Sequence, residues 1–260
     1  MGNWENTTYI QHDDAQGVAD ALVELFSAEG MRRVPRPAPR KPARFDPMQY
    51  AGALVNNLWG VALFTGSPGW TVIKTAPLEM LGERAPGAAR MRLADLVKRL
   101  GSAACQVNLY DSSSLLLVEV DREGRCELSG YCVRSGNPDP LRFNGEEIAE
   151  DRVDIRFERL PMQPVVDACT HSRDGRAWLD NDEFVSRLAE ALGGKSAAAC
   201  SNLTSIDFLL RHLPLAMASG IELYFEWPAR DRHSQQLEML TAGGRTSSVR
   251  GWSFPQGVMD

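Results

Sequence analysis

Ser67, Lys74, Asp111, Glu119 and Asp121 are the residues whose types and spacing first suggest chemistry. Ser67 lies in the stretch GSPGWTVIKTAP, residues 66–77. A strained turn that presents a nucleophilic serine needs Gly-x-Ser-x-Gly. Here glycine directly precedes the serine and proline directly follows it, so the spacing is one residue short and proline blocks the turn into a helix. Ser67 therefore reads as a turn residue. Lys74 occupies a strand, as an ATP-pairing lysine would. No Gly-x-Gly-x-x-Gly precedes it, however, and neither His-Arg-Asp nor Asp-Phe-Gly follows it.

Asp111, Glu119 and Asp121 fall on consecutive strands, in the order a metal-dependent nuclease core uses for its carboxylates. Three such acids can hold a magnesium ion through oxygen. The water-activating lysine of such a core belongs two residues after the second acid, and Asp121 stands there instead. Glu119 and Asp121 equally suit the solvated face of a strand whose Leu116, Val118 and Val120 point inward. A calcium loop around 172–184 fails too. With Asp174-Gly175 at the fifth and sixth positions, Thr170 falls first and Asn181 twelfth, so both terminal carboxylates are missing. His12, His171, His212 and His233 are scattered, and the five cysteines contain no Cys-x-x-Cys pair. They are expected to be reduced thiols in or near the core, and no cofactor or metal is expected.

Charge is unevenly placed. The chain has 28 basic and 34 acidic residues, a net charge of −6. The window 146–190 holds 12 acids against six arginines, so it carries all of that excess. Residues 32–47 reverse the balance, with six basic residues, one acid and five prolines. An acidic ridge argues against nucleic acid as its partner. The N-terminal stretch has neither a basic flank nor a long apolar run, so a cytoplasmic chain without a membrane segment is expected.

The elements that must position these residues follow from hydrophobic spacing. Val18, Ala21, Leu22, Leu25 and Phe26 form one helical stripe, with Asp13 or Asp14 before it as cap and Gly30 after it. The proline run marks a boundary between an arm at 1–47, made of this helix and a strap, and a body at 48–260 that divides near 140–160. Residues 48–57 suit a short helix. WGVALFTG and WTVIKTAP read as a hairpin around GSPG, and MRLADLVKRLG as a helix ended by Gly101. Residues 104–133 read as a meander of three strands. Asp180 and Glu183 have capping-box spacing ahead of FVSRLAEAL. NLTSIDFLLRHL, GIELYFEWP and HSQQLEMLT then repeat a helix–strand–strand order. The expected class is α+β, with antiparallel sheets, packed helices and two similar halves.

The strands GWTVIKTAPLEML and NLYDSSSLLLVEVDREG, within residues 50–135, resemble the small immunity proteins that bacteria encode beside secreted antibacterial toxins. The resemblance implies a cognate protein toxin as partner, for instance a nuclease delivered by type VI secretion, and a non-enzymatic inhibitor. On that reading Glu146, Glu147, Glu150, Asp151, Asp180, Asp182 and Glu183 form the contacting face, with Trp178 as its anchor. The alternative is a metal-dependent hydrolase or nuclease using Asp111, Glu119 and Asp121.

Overall fold

The structure, a computed structural model, describes residues 5–37, 58–76, 78–82, 91–110, 114–133, 142–143, 146–147, 152–157, 162–173, 176–192 and 220–226. Its class is α+β. Strand β1 (Glu5–Ile10) leads into α1 (Ala15–Ala28) and the short β2 (Arg32–Val34). The hairpin of β3 (Leu58–Thr65) and β4 (Thr71–Ala76) runs on to a single 3-10 turn at Leu78–Leu81 and then α2 (Arg92–Leu100). The meander β5 (Ala104–Tyr110), β6 (Ser114–Val120) and β7 (Cys126–Val133) comes next. After it stand the two-residue strands β8 (Arg142–Phe143) and β9 (Glu146–Glu147), then β10 (Arg152–Ile155). Helix α3 (Gln163–Cys169), the ribbon of β11 (Thr170–Arg173) and β12 (Arg176–Leu179), helix α4 (Asn181–Leu192) and β13 (Ile221–Glu226) complete the described elements.

Nine strands form one antiparallel sheet in the order β10-β7-β6-β5-β1-β4-β3-β13-β2. Helices cover both faces. On one, Ile10, Leu63, Ile73, Val118 and Phe225 pack with Val18, Leu22 and Phe26 of α1 and with Leu93, Leu96 and Val97 of α2. On the other, Tyr9, Phe64, Val72, Val107 and Leu117 pack with Val166 of α3 and with Phe184, Leu188 and Leu192 of α4. Burial on both faces is why these strands read as nearly continuous apolar runs. Each fully buried Leu or Phe contributes about 2 kcal/mol of transfer free energy.

Local signals set the helix limits. Asp14 Oδ1 accepts the Gln16 N–H at 3.0 Å and caps α1. Gly101 ends α2 in the left-handed region, at φ 61°, where a β-carbon would be strained.

Three expectations change. The N-terminal segment is no arm beside a body, because β1 occupies the middle of the sheet, between β4 and β5, and β2 is its edge. Nine of the thirteen described strands make one large sheet, and β13 joins it beside β3 instead of starting a second half. Glu119 is buried, at 2% exposure, because α3 and α4 cover the face expected to be solvated. The helix expected at 48–57 and the last expected helix and strand, at 202–213 and 233–241, lie outside the described residues.

Candidate functional site

The β3–β4 turn does structural work at the end of α4. The last carbonyls of a helix lack partners within it. Ser67 supplies two: its backbone N–H donates to the Leu192 carbonyl at 2.9 Å, and its hydroxyl donates to the Ala191 carbonyl at 2.7 Å. The serine hydroxyl is thus spent on a helix end. Lys74 is buried in the sheet, and its Nζ donates to Thr7 Oγ1 on the adjacent β1.

The carboxylates separate. Glu119 sits on β6 opposite Cys105 of β5. Burial first, and the Glu119 charge second, push the Cys105 thiol far above its ordinary range. It is therefore an inert, protonated core thiol at neutral pH. Asp121 staples the β6–β7 turn. Its Oδ1 accepts the N–H groups of Glu123 at 3.0 Å and Arg125 at 2.8 Å, and its Oδ2 accepts Arg125 Nε at 2.6 Å. Asp111 lies outside the described residues. Among those residues, no three His, Cys, Asp or Glu side chains stand close enough to share a metal ion.

The rejected calcium loop is an antiparallel ribbon that feeds α4. Its register sets His171 opposite Trp178. Their rings lie 5.4 Å apart, tilted by 33°. Trp178 is the one large hydrophobic side chain exposed among the described residues, at 40%. Asp180 caps α4, with Oδ1 accepting the Glu183 N–H at 2.9 Å. Only this half of the expected capping box forms. The Glu183 side chain points along the helix instead: Oε1 accepts Arg187 Nε at 2.8 Å and Oε2 stands 4.0 Å from His171 Nε2. Asp182 is exposed.

Trp178, Asp180, Asp182 and Glu183 therefore meet at the β12–α4 junction. Glu146 and Glu147 belong to the separate β8–β9 ribbon. Glu150 and Asp151 lie outside the described residues.

Sequence reasoning missed the His171–Trp178 pairing, although a signal for it was present. Asp174-Gly175, between Thr170–Arg173 and Arg176–Leu179, is the dipeptide favoured in two-residue hairpin turns. It also missed a buried amide cluster across β1 and β5, where Asn6 Nδ2 donates to Asn108 Oδ1 at 2.5 Å and Gln106 Nε2 to Thr8 Oγ1 at 3.1 Å. Asn108 Nδ2 is buried there without an acceptor.

An exposed indole, one imidazole beside it and acids on the next helix gather at this junction. They set an exposed aromatic ring beside anionic side chains. Comparison with protein-family models, curated proteins and solved structures gives no match for this chain. No helix among the described residues is long and apolar enough to cross a membrane.

Proposed function

We propose that this chain acts by binding another protein, and that the β12–α4 junction is the centre of the contact. The carrying observation is Trp178, an indole left 40% exposed on a short ribbon while other large apolar side chains among the described residues are buried or partly buried. Large aromatics in such positions act as anchors when a partner desolvates them. Asp182 and Glu190 on α4, with Glu183 paired to Arg187, leave the surround net negative, so the fitting partner carries a cationic groove. A nuclease toxin has such a groove, and the resemblance read from the strands makes this chain its cognate inhibitor, an immunity protein.

The test is co-expression with the product of the neighbouring gene, followed by affinity capture and association kinetics. A stoichiometric complex with a toxin-bearing chain is expected. Trp178→Ala should weaken it by roughly thirtyfold or more, as loss of an interface hot spot worth about 2 kcal/mol does. Asp182→Lys should slow association at low salt and change little at high salt. A complex that forms equally well with both variants would overturn the assignment.

A further inference from the structure

The ribbon that carries Trp178 also carries a side chain of the type that changes charge near neutral pH. His171 stands opposite Trp178 in register, with its ring 5.4 Å from the indole. Its Nε2 lies 4.0 Å from Glu183 Oε2 on α4, just beyond a hydrogen bond, and the two side chains are 49% and 38% exposed. Arg187 places both of its contacts on the other oxygen, with Nε at 2.8 Å and Nη2 at 2.7 Å from Oε1. Oε2 therefore accepts no hydrogen bond from a described residue, and it is the oxygen nearer the imidazole.

The groups around the ring hold their charge where an imidazole titrates, because carboxylates lose their protons at lower pH and guanidinium groups at higher pH. On α4 these are Glu183 and Arg187, with Asp182 exposed at the helix start. Asp180, between β12 and α4, is the helix cap. On α3, Asp167 accepts Gln163 Nε2 at 3.0 Å. Burial first, then the Glu183 charge, push the Cys169 thiol up, so it stays protonated. On the ribbon itself, Arg173 and Arg176 pair in register beyond His171, and β10, packed on β12, carries Arg152 and Asp154.

We propose that His171 is a proton-operated switch on the contact at Trp178, an inference that rests on the protein-binding reading of that surface. Neutral, the imidazole leaves Glu183 Oε2 and the indole to the partner. Protonated, its Nε2–H closes the 4.0 Å gap onto Oε2, and the same ring engages Trp178 as a cation on a π-system. Glu183 then holds two cations, and the negative charge of the junction falls by one. A cationic partner meets a weaker field and an occupied carboxylate, so binding weakens as pH falls.

The experiment has two arms. In the first, the Trp178 indole N–H of the chain alone, assigned by its loss in Trp178→Phe, is followed by 1H–15N correlation from about pH 7.5 to about pH 5.5, across the imidazole range. The resonance should move in wild type and stay still in His171→Gln. In the second, the dissociation constant for the co-encoded protein is measured over the same range. It should rise about tenfold in wild type, a coupling of ordinary size between two ligands. His171→Gln should show no such rise, whatever its own affinity, and Glu183→Gln, which lacks the oxygen that draws the imidazolium, a shallower one. Thermal unfolding checks that the variants are folded. A still indole in wild type, a wild-type affinity that ignores pH, or the full rise in His171→Gln would overturn the switch. An indole that moves while no complex forms at either pH would instead overturn the contact at Trp178, and the switch with it.

Discussion

Gly66→Ala should destabilise the protein far more than one methyl group ordinarily does. Gly66 needs no special backbone angle, since it is absent from the left-handed glycines; what it needs is space. A β-carbon there would lie 2.4 Å from the Leu192 carbonyl oxygen, 3.0 Å from the Trp70 carbonyl oxygen and 3.1 Å from Trp70 Cβ. The first two are backbone atoms, which cannot rotate away, so the turn and α4 must part. Parting them weakens the two bonds from Ser67 to the helix end, at 2.9 Å and 2.7 Å. Overpacking costs about 1–3 kcal/mol, and each hydrogen bond contributes about 1 kcal/mol. A loss of about 2–4 kcal/mol is expected. Ser67→Ala removes only the hydroxyl bond and should cost about 1 kcal/mol. Urea unfolding followed by circular dichroism measures both. A Gly66→Ala protein within about 0.5 kcal/mol of wild type, the range of neutral surface changes, would refute the docking of this turn on α4.

Asp180 separates a structural role from a contact role: Asp180→Ala should lose about 1 kcal/mol with the cap, while Asp180→Asn keeps it, both read by thermal unfolding. In the amide cluster, replacing both Asn6 and Asn108 by valine removes their shared bond together with the orphaned Asn108 Nδ2, so stability should hold or rise by about 1 kcal/mol, whereas Asn108→Val alone strands the Asn6 amide and should destabilise; a double-mutant cycle in urea checks it. Folding raises the Cys105 thiol, so its contribution is fully present below the ordinary thiol range and is lost as pH climbs above it, when the unfolded chain releases the proton first. Stability should fall with a slope of up to about 1.4 kcal/mol per pH unit from this group, and Cys105→Ala should flatten that part of the curve.

The legible parts of the fold are those whose local pattern agrees with their surroundings. The α1 stripe, the 58–76 hairpin, the 104–133 meander and the α4 cap all carry periodicity and turn residues in the sequence itself. Strand β1 was illegible for a physical reason. Asn6 and Thr8 lie on a buried face of β1 and are satisfied by Asn108 and Gln106, about 100 residues away. A polar strand whose partners are that remote looks like a surface arm. Glu119 was misread for the converse reason: an acid alternating with Leu and Val signals solvent only when one face is open. The edge strand β2, three residues beside a proline run, is too short to show any period. At the candidate site, Trp178, Asp180, Asp182 and Glu183 were legible as an acidic, aromatic cluster, but the cap made by Asp180 and the stacking on His171 depend on hairpin register.

The most direct test of the binding role is the dissociation constant of the complex between this chain and the co-encoded protein, measured for wild type and Trp178→Ala by interferometry at physiological salt. Tight wild-type binding, weakened roughly thirtyfold or more by the substitution with the thermal midpoint unchanged, is expected. Equal affinity in the two proteins would contradict it.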